Sequence, residues 1–240
     1  MGTAELIVAA VLVDQRSKSA VGRPAYPSPV LVLFDLDGTL TDPYEGITKC
    51  VTHALDQSRL AKLDERGLRS FIGPPLQDQF AALGLDEEGV ERAVGLYRER
   101  FTQHGLYENY VYEGIVDALD ALRAASVRMA IATSKPTVFA TRIVEHFDLA
   151  PHFTIVAGAT LDGTRREKRD VIAFALASLG ASPEDAVMVG DRAQDIDGAH
   201  ALGMRSIGVA WGYAEPGELE QAGADVIVES PQELVKSILG

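Results

Sequence analysis

The stretch VLVLFDLDGTLTDP, residues 30–43, closes a short apolar run on two aspartates. Val30 to Phe34 is a continuous β-prone block rather than an alternating one, as expected of a strand buried in a parallel sheet. Asp35 and Asp37 follow at once, and Gly38 and Thr39 turn the chain. Carboxylates are costly to bury unpaired. Two of them at the end of a buried strand therefore imply groups of opposite charge nearby.

From residue 114 onward, strands alternate with helices. Gly114 to Ala125 carries Ile115, Leu119 and Leu122 at helical spacing, and Val127 to Thr133 reads as a buried strand. Pro136 suits a first helical turn. A strand near Phe153–Gly158, a helix near Asp170–Leu179 and the strand AVMVGD come next. Ile196–Leu202 (helix), RSIGVA (strand), Glu215–Gln221 (helix), DVIV (strand) and Pro231–Leu239 (helix) complete the order. This alternation predicts an α/β fold, a doubly wound parallel sheet covered on both faces. Residues 45–112 break the rhythm and contain no predicted strand. Val90, Ala93, Val94, Tyr97 and Phe101 form one helical stripe, and Ile47, Val51, Ala54 and Leu55 form another. The expected organisation is a core of residues 30–44 and 113–240 with about four helices inserted at 45–112.

The chain has 240 residues, 47% apolar and 24% charged, with a net charge of −13. Such a balance argues against nucleic-acid polymers and anionic membranes as partners. An anionic small molecule would have to find positive charge locally. A single cysteine, Cys50, excludes an intramolecular disulfide, fits a reducing compartment and reads as a core hydrophobe. Residues 1–29 read as an N-terminal extension: ELIVAAVLV lacks a basic flank and is too short to span a bilayer. A cytoplasmic protein is expected. The five histidines show no metal-ligand spacing.

In an open parallel sheet, ligands bind beyond the carboxyl ends of the strands. Three strands here are apolar until they end abruptly in polar residues: Asp35 and Asp37, then Thr133 and Ser134, then Asp191. Carboxylates converging there repel one another unless a hard cation sits among them, and Mg²⁺ suits oxygen ligands and phosphate. The amides of the Asp37-Gly38-Thr39 turn are expected to be free to cradle an anion. Together these features point to phosphoryl transfer, with Asp35 attacking phosphorus and Asp37 working as acid and base. Thr133 and Lys168 would offset the remaining phosphoryl charge. The plainer readings are helix capping for Thr133, Ser134, Asp191 and Asp195, a solvated charge for Lys168, and a surface role for Lys135 as an alternative to substrate binding.

DLDGTLT at 35–41, ATSK at 132–135, Lys168 and GDRAQD at 190–195 resemble, in order, the four motifs of the haloacid dehalogenase superfamily. The resemblance covers roughly residues 30–240. D-x-D-G-T is specific, whereas G-D-x-x-x-D alone is weak. It implies a Rossmann-like core with a helical cap at 45–112, as in the phosphoglycolate phosphatase and 5′-nucleotidase-like branch. Asp35 is then the nucleophile that forms an aspartyl-phosphate, and Asp37 the general acid/base. Asp35, the Asp37 carbonyl and Asp191 would bind Mg²⁺, with Asp195 supporting them. FIGPPLQ, with Gly73 and Gln77, would be a cap loop reaching the substrate. The implied activity is Mg²⁺-dependent hydrolysis of a small phosphomonoester, either phosphoglycolate or a nucleoside 5′-monophosphate. A phosphosugar mutase or a non-catalytic binding protein on the same fold are the alternatives.

Overall fold

A computed structural model of the protein describes residues 31–240; the extension at 1–29 lies outside the described residues. In chain order the elements are β1 (Leu31–Phe34), β2 (Thr41–Asp42), α1 (Tyr44–Gln57), α2 (Glu65–Arg69), α3 (Leu76–Ala82) and α4 (Glu87–Arg100). A π turn (Phe101–Gly105), β3 (Tyr110–Val111), α5 (Ile115–Ala124), β4 (Arg128–Pro136), α6 (Thr137–His146) and β5 (Val156–Ala159) follow. The chain ends with α7 (Lys168–Leu179), β6 (Ala186–Gly190), α8 (Ala193–His200), β7 (Arg205–Val209), α9 (Glu218–Gln221), β8 (Val226–Val228) and α10 (Pro231–Leu239).

Six parallel strands form one sheet in the order β5-β4-β1-β6-β7-β8. The order reverses around β1, the position at which such sheets open a crevice for ligands. Phe34 pairs with Ile131 of β4 and with Val189 of β6. Asp35, Thr133 and Asp191 therefore leave the sheet at nearly one level.

Successive side chains of β1 face opposite ways. Leu31 and Leu33 pack with Val171, Ile172, Ala175 and Leu176 of α7. Val32 and Phe34 face the other side, where Leu119, Phe139, Ile143 and Leu234 cover them. That second cluster runs on into the inserted helices through Ile47, Cys50, Val51, Tyr97 and Phe101, so the insertion packs as an extension of one face of the core. Cys50 is buried as expected and accepts a hydrogen bond from Arg100 Nη1 at 3.3 Å.

Several local expectations needed correction. Tyr110–Val111, inside the span expected to lack strands, pairs antiparallel with Thr41–Asp42. A two-residue ribbon has no period to read. Pro136 ends β4 instead of opening the first turn of α6, because its backbone is extended (ψ 133°). α8 starts at Ala193, earlier than Ile196, and α9 spans only Glu218–Gln221, since Gly217 before it adopts φ 81°. No helix among the described residues is long and apolar enough to cross a membrane.

Candidate active site

Lys168 opens α7 and points its amine under the end of β1. Its Nζ lies 3.0 Å from Asp35 Oδ2 and 2.6 Å from Asp195 Oδ1, and it donates to the Ala132 carbonyl at 3.2 Å. The lysine side chain is only 3% exposed, so it is not a solvated helix-end charge. Asp35, Asp191 and Asp195 are all buried, and each offers an oxygen within 4.8 Å of the others. Burial works against the charge of Lys168, but Asp195 and Asp35 outweigh it and hold its pKa above the ordinary value. Burial pushes Asp191 well above the carboxylate range and Asp195 up to about 6, although Lys168 partly counters it at Asp195. Within this cluster of three buried carboxylates one lysine thus pairs with two, Asp35 and Asp195. The uncompensated negative charge and the all-oxygen donor set fit a hard divalent cation.

Asp191 is held from both sides. Tyr213 N–H donates to its Oδ2 at 2.8 Å and the Thr39 hydroxyl to its Oδ1 at 3.2 Å. Any side chain at Gly38 would sit 2.1 Å from Asp191 Oδ2, and one at Gly212 would lie 2.3 Å from Asp191 Cβ. The glycine in DLDGT therefore does more than allow the positive φ of 82°. Trp211 Nε1 donates to the Thr39 carbonyl at 3.1 Å, tying AWGY to the first turn.

The Gly38 and Thr39 amides, expected to be free for an anion, are instead spent inside the turn. Gly38 N–H donates to the Thr41 carbonyl at 2.8 Å and Thr39 N–H to the Leu36 carbonyl at 3.3 Å. A turn tight enough to bring Asp37 beside Asp35 closes on its own hydrogen bonds. Both residues seat Asp191 instead.

Asp37 stands apart from the carboxylate cluster. Lys135 Nζ lies 2.7 Å from its Oδ2, and the lysine side chain is 7% exposed, so Lys135 is not a surface charge. Burial raises the pKa of Asp37, and Lys135 only partly offsets this. Thr133 is buried at the end of the apolar part of β4, and its hydroxyl accepts from Lys135 N–H at 3.2 Å. The capping reading does not hold for Thr133 or Ser134, since Pro136 is the N-cap of α6 and no side chain bonds its first turn. It holds alongside the ion pair for Asp195: one carboxylate oxygen accepts from Arg192 N–H at 3.1 Å while the other faces Lys168.

Ser134, Lys135 and Asp37 open into a cleft whose other wall comes from the inserted helices, including Gly73 and Gln77. The 71–77 stretch is tied to the segment that carries Asp191 just after β6 and Asp195 in the first turn of α8. Arg192 Nη1 donates to the Ile72 carbonyl at 2.7 Å and Gln194 Nε2 to the Gly73 carbonyl at 2.9 Å. Arg192, Gln194 and the cleft arginines Arg98 and Arg166 were not singled out on the sequence, where each reads as one surface charge or amide among many.

The sequence profile of the haloacid dehalogenase-like hydrolases matches residues 32–209. The chain is 43% identical over 204 residues to the tyrosine-protein kinase PtkA of Mycobacterium tuberculosis, covering 85% of this chain and 69% of that protein. It is 46% identical over 195 residues to a 5′-nucleotidase of Pseudomonas aeruginosa, covering 81% of this chain and 87% of the relative. Among solved structures, a predicted phosphatase from Clostridium acetobutylicum superimposes with a TM-score of 0.86 at 44% identity, over 89% of this chain and 99% of the other.

Proposed function

The chain belongs to the haloacid dehalogenase-like hydrolases and is a phosphatase, a phosphoric monoester hydrolase; from that premise we propose that it cleaves a small phosphomonoester through an aspartyl-phosphate on Asp35. The observation that carries this reading is the division of labour between two acids two residues apart. Asp35 sits in the carboxylate–lysine cluster, whereas Asp37 lies outside it, facing the cleft with a burial-raised pKa.

In the first step a carboxylate oxygen of Asp35 bonds to phosphorus as the ester oxygen leaves. Asp37 acts as the general acid and gives that oxygen its proton. In the second step Asp37 takes a proton from water as the water attacks phosphorus, releasing inorganic phosphate and free Asp35. Lys168 and the Thr133 hydroxyl hold the phosphoryl oxygens throughout. Mg²⁺, held by Asp35, Asp191, the Asp37 carbonyl and the supporting Asp195, would neutralise phosphoryl charge. The insertion at 45–112 acts as the cap, and its 71–77 loop shuts the cleft against bulk water. The substrate class is 2-phosphoglycolate or a nucleoside 5′-monophosphate, small enough to lie under that cap.

The test is phosphate release from a panel of phosphoglycolate, nucleotides, sugar phosphates and phosphotyrosine, with Mg²⁺ or a chelator, for wild type and Asp35→Asn. Turnover that needs the metal and disappears in Asp35→Asn is the expected result. The similarity to a protein named a tyrosine kinase sets the competing outcome. ATP-dependent labelling of a tyrosine peptide, with no phosphate released from any ester, would overturn hydrolysis in favour of onward transfer. Slow hydrolysis stimulated by a sugar bisphosphate would favour a mutase.

A further inference from the structure

Three cationic side chains line the cleft beside Asp37: Lys135, Arg166 and Arg98. Two of them have their charge matched. Lys135 pairs with Asp37, and Arg166 pairs with Asp78 of α3. Arg98, on α4, pairs with no carboxylate among the described residues, and its Nε is shut off from solvent without a hydrogen-bond acceptor. Partial burial alone, with nothing to offset it, depresses its pKa. Its neighbours do not supply a reason to put a charge there. Tyr97 and Phe101 stack with ring centroids 5.4 Å apart, and Phe71 and Phe139 add apolar wall.

A half-buried guanidinium without a counter-ion is costly unless something brings an anion to it. Arginine's planar fork suits a carboxylate or phosphate, which it binds through two parallel hydrogen bonds. Asp37 is the one acid among the described residues lining the cleft, and Lys135 occupies it. No described residue supplies the anion, which points to a bound molecule in the same cleft as the proposed general acid. We propose that Arg98 is a specificity residue that binds a second anionic group of the substrate, so that the preferred phosphomonoester carries a carboxylate or a further phosphate at its non-reacting end. This rests on the phosphatase reading of the site and narrows it: between the two classes named above, an acid-bearing ester such as phosphoglycolate is preferred to a nucleoside monophosphate with a neutral base.

The experiment compares charged esters with neutral counterparts. The pairs are 2-phosphoglycolate with ethyl phosphate, and a sugar bisphosphate with its monophosphate. kcat/KM is measured with Mg²⁺ for wild type, Arg98→Gln and Arg98→Lys. Binding of the same compounds to Asp35→Asn, with and without Arg98→Gln, is measured by calorimetry and needs no turnover. Wild type should favour the charged member of one pair, and which pair distinguishes carboxylate from phosphate. Arg98→Gln should shrink that preference by roughly tenfold or more, mainly through KM and Kd, with partial rescue in Arg98→Lys. Equal losses on charged and neutral members, or a preference untouched by Arg98→Gln, would overturn the proposal. So would wild type favouring the neutral members. A wild type that turns over no ester yet binds the charged compounds through Arg98 would sink the phosphatase reading and keep this one.

Discussion

At the scale of single residues, Lys168 decides the most. Its amine is the only one that faces the buried carboxylate cluster among the described ion pairs, touching Asp35 and Asp195 at once. Removing one partner of a buried charge pair strands the other, at a cost of about 3–5 kcal/mol. Lys168→Met is therefore expected to lose about that much stability in chelator, read by urea denaturation. Adding Asp195→Asn to Lys168→Met should recover part of the stability, since one stranded charge is gone, while turnover stays lost. Stability unchanged in the single variant would show that water or relaxation already compensates these acids. The surroundings of Asp191 make the same point sterically: Gly38 and Gly212 leave no room for a side chain beside its carboxylate.

At the scale of elements, an ionic knot around Glu108 ties the two ends of the insertion, α1 and the segment after α4, to each other. Arg100, at the end of α4, meets its carboxylate at 2.7 Å, and Lys49 of α1 lies 3.1 Å away. The Glu108 carbonyl also accepts from Gly46 N–H at 2.9 Å, pinning the start of α1. The Arg100 hydrogen bonds hold the Glu108 carboxyl below its ordinary value of 4.5. Folding therefore favours the ionised form. The stabilisation is complete above about pH 4.5 and is lost as pH falls through the lowered folded-state value. These side chains are about one-fifth exposed (20% and 23%), so the pair is worth about 1 kcal/mol after solvent screening. Wild type should accordingly lose stability more steeply than Glu108→Gln on acidification below pH 4.5, and the two curves should converge at low pH. Parallel curves in chemical denaturation across that range would exclude a role for the knot.

At the scale of the whole molecule, a chain of net charge −13 concentrates three buried carboxylates at the switch point of its sheet. A cation that binds there in the folded state alone stabilises it by mass action, by about 2.7 kcal/mol at a concentration one hundred times its Kd. Mg²⁺ should raise the melting temperature of wild type, and chelator should reverse the rise. Asp191→Asn should lose most of this response while still folding, because amide and carboxylate have nearly the same shape. A response equally strong in Asp191→Asn would place the ion elsewhere on the acidic surface.

The sequence by itself determined the parallel α/β core, because continuous apolar runs and helical periods record burial locally. It also determined which acids end the central strands, because polar residues that interrupt such runs stand out. Asp35 and Asp191 were legible in this way, Lys168 as a lysine opening a helix and Asp195 through the resemblance to the family motif, and the four meet in space. Tertiary structure alone decided who neutralises whom. Lys135 turns to Asp37 and Lys168 to the cluster, although the two lysines look alike as residue types. It also decided that the turn amides of Gly38 and Thr39 are spent on the turn itself. The Tyr213 amide, 22 residues away in the chain, holds Asp191, and Arg98 faces the cleft with no carboxylate partner among the described residues. Pairing of charges depends on directions and distances between elements far apart in the chain, and no local period carries that information.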